Sequence, residues 1–375
     1  MTNFAVMKLN SISILNYKNI AEAALSFSPK VNCLIGNNGM GKTNILDAIY
    51  YLSFCKSSTN QTDSSVITHE ADFMMLQGQY TRHDATEDVS MGMQRGKRKV
   101  VRRNGKEYKR LSQHIGLLPL VMVSPSDWDL IRGAGDERRR LMDMIISQGD
   151  KEYLNAIIGY AKAVEQRNAM IKKEFRDPIL YETVEHQMAS LATYIHAERK
   201  RWIEAFEPIF MRYYNAIAGD GEVVRLSYKS HLNEATMLEH LAATRERDFI
   251  IGYTTRGVHR DDIDLLLGEH SMRKTGSQGQ CKTYTIALRL AQFEFLKAHT
   301  ASTPILLLDD IFDKLDAKRV ESIIEVVSAD HFGQIFITDT NRTHLDEIIH
   351  RVSGDFAMFD VSDGVCTLIN RSNQE

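Results

Sequence analysis

Three short stretches, far apart in the chain, carry residues able to handle a nucleoside triphosphate. "GNNGMGKT" at 36–43 has the spacing G-x-x-x-x-G-K-[ST]. Gly36, Gly39 and Gly41 let the backbone curl without Cβ clashes, so that N–H groups, those of Asn37, Asn38 and Met40 among them, can surround phosphates. Lys42 is placed to reach the β- and γ-phosphates, and Thr43 to offer its hydroxyl to Mg²⁺. "PILLLDDIFDKLDA" at 304–317 is an apolar run ending in carboxylates. Asp309 at its end can hold Mg²⁺ through water, and Asp310 can orient or deprotonate an attacking water. The third stretch, "TGSQGQCKTYTIALRLAQ" at 275–292, places Ser277, Gln278, Gly279 and Gln280 ahead of a periodic apolar run of Ile286, Leu290 and Phe293. A serine hydroxyl, a close-approach glycine and a helix N-terminus form a second anion-capturing arrangement.

Each stretch has a plainer alternative: a glycine turn, a buried strand, an N-capped surface helix. Their joint occurrence disfavours all three, because the phosphate loop lies between a strand-like "VNCLI" (31–35) and a helix-like "NILDAIYYL" (44–52). A phosphate loop alone leaves kinases, GTPases and ATPases open. The carboxylate strand narrows this field.

Around these residues the chain reads as one α/β domain interrupted by helices. "FMMLQGQY" (73–80), "DVSMGM" (88–93) and "KRKVVRRNGKEYKR" (97–110) alternate like antiparallel strands, with a hairpin turn at Asn104-Gly105. From about 127 to 247 two apolar stripes take over: Leu154, Ile157, Ala161, Val164, Asn168 and Ile171, then Val184, Met188, Leu191, Ile195, Trp202, Phe206, Ile209 and Tyr213. Their spacing predicts two long helices packed nearly antiparallel. A helix at 317–329, a strand at 334–340 and a hairpin turning at Asp363-Gly364 close the chain. The predicted boundaries are 1–118 with 248–375 for the α/β lobe and 119–247 for the helical lobe.

Composition limits the partners. Lys+Arg 46 against Asp+Glu 49 gives a net charge of -3 over 375 residues, so any nucleic-acid surface must be local. Cys33, Cys55, Cys281 and Cys366 have neither metal-ligand spacing nor a disulfide pattern, which fits a reducing cytoplasm. No secretory leader or membrane span is expected.

The three stretches, in this order, resemble the ABC-type ATPases. The Ser-Gln-Gly-Gln form of the signature points to the RecF family of SMC-like members, as do "NYKNI" (16–20), "VMVSPSDWDLIRGAGDERRRLMD" (121–143) and "TTRGVHRDDID" (254–264). Lys18, Val258 and the arginine-poor "CKSST" (55–59) depart from the family pattern. The resemblance implies an ABC-type P-loop head with an inserted helical lobe carrying a short antiparallel arm. It implies two such heads sandwiching ATP, with Lys42, Thr43, Asp309 and Asp310 from one subunit and Ser277 and Gly279 from the other. It further implies weak ATP hydrolysis with Mg²⁺, used as a switch. Binding of gapped or junction DNA near the nucleoid, and RecA loading with RecO and RecR in recombinational repair, replication restart and the SOS response, follow from the same resemblance. An SMC-type chromosome or nuclease-associated ATPase is the alternative, disfavoured because its arms need hundreds of residues. A transporter subunit and a small-metabolite kinase fit less well.

Three features stay open at this level. Lys97, Lys99, Arg103 and Lys109 could meet DNA phosphates or simply solvate a sheet edge. Arg138, Arg139 and Arg140 crowd a helix's first turn, where the dipole disfavours cations, which hints at an anionic partner. The γ-phosphate sensor is Thr338, Asp339 or Thr340, and His259 is read as part of a structural polar network.

Overall fold

The computed structural model describes residues 5–59, 62–175, 177–219, 221–300, 302–329, 331–352 and 355–372. The chain separates into two compact units. The first comprises Met1–Asp127, Tyr213–Asp220 and Gln278–Glu375, the second Trp128–Arg212 and Gly221–Ser277.

The first unit is built on two sheets. One is six-stranded, in the order Val365–Arg371, Phe356–Ser362, Val31–Ile35, Ile335–Asp339, Ile305–Asp309 and Leu120–Val123, all neighbours parallel except the terminal hairpin. Its three central strands are apolar and buried almost throughout, as a parallel sheet covered on both faces requires. The other sheet is antiparallel and runs Ile20–Ser26, Lys8–Tyr17, Phe73–Arg82, Ala85–Gln94, Val100–Arg103 and Lys106–Glu107. Phe73–Arg82 alternates between exposed and buried positions, the mark of a sheet with one wet face. The helix Lys42–Phe54 is buried on nearly every side. A helix this apolar all round belongs inside a core rather than on a surface.

The second unit is helical, with a small antiparallel sheet of Val224–Lys229, Asp262–Leu267 and His270–Ser271. Helix Lys151–Lys172 runs antiparallel to helix Pro178–Ala218: Asp150 meets Tyr194, Gly159 approaches Leu191 and Arg167 binds Glu185, so partners fall along one helix as they rise along the other. The longer helix has 41 residues, about 60 Å at 1.5 Å per residue.

Two expectations shift. The boundaries at 118/119 and 247/248 move because Leu120–Val123 pairs with Ile305–Asp309, while Asp262–Leu267 pairs with Val224–Lys229 of the helical unit. Of the stripe expected at Leu154, Ile157, Ala161, Val164, Asn168 and Ile171, Ile171 is buried, while the first five lie one residue off the buried face, which is Tyr153, Ala156, Tyr160, Ala163, Arg167, Met170 and Ile171. Polar tips made this face look unfit for a core. Inside the fold they are partnered: Tyr153 donates to Asp143 at 2.6 Å, and Arg167 reaches Glu185, Asp248 and Thr254. No helix among the described residues is long and apolar enough to cross a membrane.

Candidate functional site

The phosphate loop leaves the carboxyl end of strand Val31–Ile35 and enters helix Lys42–Phe54. Gly36 has no room for a side chain, since a Cβ there would lie 2.2 Å from the Val361 carbonyl oxygen. Gly41, the residue before the helix, holds φ at 112°, where a side chain is strained. A neighbouring turn braces the loop: Asn44 donates to the Asn19 side chain at 2.7 Å, Asn19 reaches the Met40 carbonyl at 3.4 Å, and the Gly364 N–H meets that same carbonyl at 2.9 Å. "NYKNI" thus supports the loop from outside. Asn37, Asn38 and Gly39 are exposed at its crown.

Lys42 is 6% exposed and donates to the carbonyls of Gly36 (2.6 Å) and Asn37 (3.0 Å). Burial lowers its pKa, partly offset by Asp310, Asp309 and Asp339. The Thr43 hydroxyl donates to Asp309 Oδ1 at 3.0 Å. The strand register explains the meeting: Ile335–Asp339 lies between the phosphate-loop strand and the carboxylate strand, with Thr338 opposite both Leu34 and Asp309.

Thr338 serves both acids. Its hydroxyl donates to Asp309 Oδ1 at 2.7 Å and accepts the Asp310 N–H at 3.0 Å. Burial pushes the Asp309 carboxyl up, while Thr338 and Thr43 pull it down. Asp310 is also pushed up, by burial first and then by Asp339. Its φ is 47°, a left-handed backbone on a non-glycine residue, which costs about 1 kcal/mol or more and recurs at functional positions.

Of the three sensor candidates, Thr340 is exposed, and Thr338 and Asp339 have separate partners. Thr338 is committed to Asp309 and Asp310. Asp339 accepts from Asn341 N–H at 2.9 Å and from His344 Nδ1–H at 2.8 Å. His344, in the first turn of helix Arg342–Arg351, was missed by sequence reasoning, although Asn341 before that helix is an evident cap.

Ser277 and Gln278 are exposed where helix Gln278–His299 begins, and Ser277 closes one unit as Gln278 opens the other. Gly279 lies against Arg319, whose Nη1 would be 2.6 Å from a Cβ at that position. Lys282, also missed, donates to the Asp310 carbonyl at 3.2 Å.

Several charged candidates are consumed inside the chain. Lys99 donates to Asp63 at 2.6 Å and to the Cys55 carbonyl, and Arg103 forms a two-pronged pair with Glu87, so both already have partners within the chain. Lys97 and Lys109 remain exposed, beside Arg98 and Arg110. Arg138 binds Asp262 through two bonds of 2.7 and 2.9 Å, Arg139 donates to the Asp261 carbonyl, and Arg140 pairs with Glu137. Arg138 and Arg139 therefore tie "DERRR" to "HRDD". Lys18 pairs at 2.6 Å with buried Asp47, which also receives Ser57 and Ser58. His259 donates from Nε2 to the Thr254 carbonyl and accepts at Nδ1 from Tyr160, and burial lowers its pKa to about 4. It is a structural group.

Residues 8–360 match the family described as the RecF/RecN/SMC N terminal domain. A "DNA replication and repair protein RecF" of Parabacteroides distasonis is 54% identical over 358 residues, 96% of this chain and 98% of that relative. The protein of the same name from Bacteroides thetaiotaomicron is 54% identical over 361 residues, with the same coverage of each. A solved RecF-ATP, a recombination mediator of the RecFOR pathway, superposes with a TM-score of 0.88 at 26% identity over 98% of this chain and 99% of that one. An Smc head domain from Pyrococcus furiosus shares the fold, with a TM-score of 0.59 at 17% identity over 97% of this chain and 96% of that one.

Proposed function

Because this chain belongs to the RecF/RecN/SMC N terminal domain family, and within it to RecF, we propose that it acts in DNA replication and repair as an ATP-switched clamp on DNA. Two copies close over two ATP molecules. Lys42 and the loop 36–41 bind the phosphates of one ATP, Asp310 of the same copy holds the attacking water, and Ser277, Gln278, Gly279 and Gln280 of the other copy close over the γ-phosphate. The observation that carries this reading is the division of labour within one chain. The phosphate loop, Thr43, Asp309 and Asp310 converge on the edge of one sheet, whereas Ser277 directly precedes a separate helix and is exposed.

Thr43 Oγ1 and Asp309 Oδ1, 3.0 Å apart and both hard oxygen donors, fit the protein's share of a Mg²⁺ shell otherwise supplied by phosphate and water. Mg²⁺ would supply charge neutralisation on the β- and γ-oxygens. Asp310, with its raised pKa, takes the proton of the attacking water. Loss of the γ-phosphate removes what the second copy holds, so the dimer loosens; nucleotide acts through differential affinity for two states.

DNA binds through the exposed cations Lys97, Arg98, Lys109 and Arg110, neutralising phosphates without reading sequence. Gapped and junction DNA are the substrates, and RecO and RecR are the partners in loading RecA. The longest helix among the described residues has 41 residues, which favours this reading over an SMC-type chromosome ATPase.

Mixing two inactive variants, Lys42→Met and Ser277→Arg, tests the composite site. Each mixed dimer contains one intact site, so ATP hydrolysis should return to a measurable fraction of the wild-type rate. Mixed dimers that form without any hydrolysis would overturn the reading.

A further inference from the structure

The helix that presents Ser277 to the second copy also touches its own chain's catalytic acid. Lys282 lies one turn into helix Gln278–His299, and its ammonium donates to the backbone carbonyl of Asp310 at 3.2 Å. Asp313, Asp310 and Asp309 supply opposite charge around it, while burial lowers its pKa. The other side of Asp310 is held by Thr338, which accepts its N–H at 3.0 Å. Between these two anchors Asp310 keeps a left-handed backbone at φ 47°, a conformation that a non-glycine residue holds only when its surroundings impose it.

The same helix start lies beside the carboxylate segment at a second place: a Cβ on Gly279 would be 2.6 Å from Nη1 of Arg319, whose guanidinium lies 3.5 Å from Asp316 and whose backbone N–H is capped by Asp316 at 2.9 Å. The helix start is therefore bonded to this segment through Lys282 and passes close to it at Gly279. A displacement of the helix start must be felt at the Asp310 peptide.

We propose that Lys282 is a positioning residue for Asp310, holding the strained peptide that aims its carboxylate and tying each copy's signature helix to that copy's own catalytic acid. This rests on the composite-site reading and deepens it. Lysine suits the task because its flexible stem carries three donors to a carbonyl without needing a planar partner.

The test uses full-length protein. Lys282→Met should lower kcat at least tenfold with a KM change of less than threefold, and Lys282→Arg, which keeps a cation donor, should recover a good part of kcat. In mixed dimers of Lys42→Met with Ser277→Arg chains, the working Asp310 belongs to the Ser277→Arg chain. Lys282→Met added to that chain should depress the restored hydrolysis at least fivefold more than the same change on the Lys42→Met chain. Equal effects from the two placements, or a larger effect from the second, would overturn the proposal. So would an unchanged kcat, or a loss that Lys282→Arg does not relieve. Absence of activity in the parent mixture, before Lys282 is touched, would instead fault the composite site; the kcat, KM and arginine-rescue measurements on the single variants would still decide the role of Lys282.

Discussion

Replacing Thr338 with valine removes one hydroxyl, keeps the side chain's shape, and leaves both acids of the site changed. Two bonds vanish: the donation to Asp309 at 2.7 Å and the acceptance of the Asp310 N–H at 3.0 Å. A hydrogen bond to a charged group contributes about 1.5–3 kcal/mol, and an orphaned buried N–H costs about 1–3 kcal/mol. Valine's extra apolar burial offsets part of this, so a net loss of roughly 3 kcal/mol is expected for the unit containing the core sheet. The loss depends on pH in a definite direction. Burial already holds the Asp309 carboxyl above its ordinary value, and Thr338 opposes that rise. A carboxyl whose pKa is raised by folding costs stability once ionised, and the cost disappears below its unfolded pKa. Removing a donor that favours the ionised form raises the pKa further. The deficit of Thr338→Val should therefore be largest where Asp309 is ionised and shrink as pH falls toward the ordinary carboxyl value, leaving the part owed to the Asp310 N–H. Urea unfolding followed by far-ultraviolet circular dichroism at several pH values measures it. A deficit below about 1 kcal/mol at neutral pH, or one that does not change with pH, would refute this account of how the two acids are held.

Other expectations concern charges whose roles the fold separates. Lys97→Glu combined with Lys109→Glu should weaken DNA binding and flatten its salt dependence by about two phosphate contacts' worth, a change of roughly 1.8 in the log–log slope, read by fluorescence anisotropy. Arg103→Ala should leave that slope intact and instead destabilise the chain by about 1–3 kcal/mol, because Glu87, 8% exposed, loses its partner. The opposite pattern would return Arg103 to the DNA surface. Burial lowers the His259 pKa to about 4 from 6.5, so the folded helical unit binds fewer protons than the unfolded chain. Its stability should fall by about 3 kcal/mol as pH drops from 6.5 to 4, a loss that His259→Gln removes, with Trp202 fluorescence as the readout. Equal pH slopes in both proteins would contradict the assignment.

The strand-to-helix turn at 36–43, the carboxylate strand and the helix start at Gln278 were legible in the chain because each is a local backbone device. Gly36, Gly41 and Lys42 do their work within eight residues, and Asp309 follows an apolar run whose burial is written in its own composition. The same locality made the Asn104-Gly105 and Asp363-Gly364 turns readable. What the chain could not disclose was which charges were already spent. Lys99 meets Asp63 across 36 positions and Arg138 meets Asp262 across 124, so some charges in runs that look like open basic surface are held in ion pairs within the chain. The buried helix face was misread by one residue for the same reason: Tyr153, Tyr160 and Arg167 look polar until Asp143, His259 and Glu185 arrive from other elements. Thr338, Lys282 and His344 gained their places only when parallel strands and a helix brought residues from distant parts of the chain to one sheet edge. Local spacing determines what a residue can do. Whether a charge meets solvent, a phosphate or a partner in its own chain is a long-range matter of desolvation and pairing, and only tertiary packing decides it.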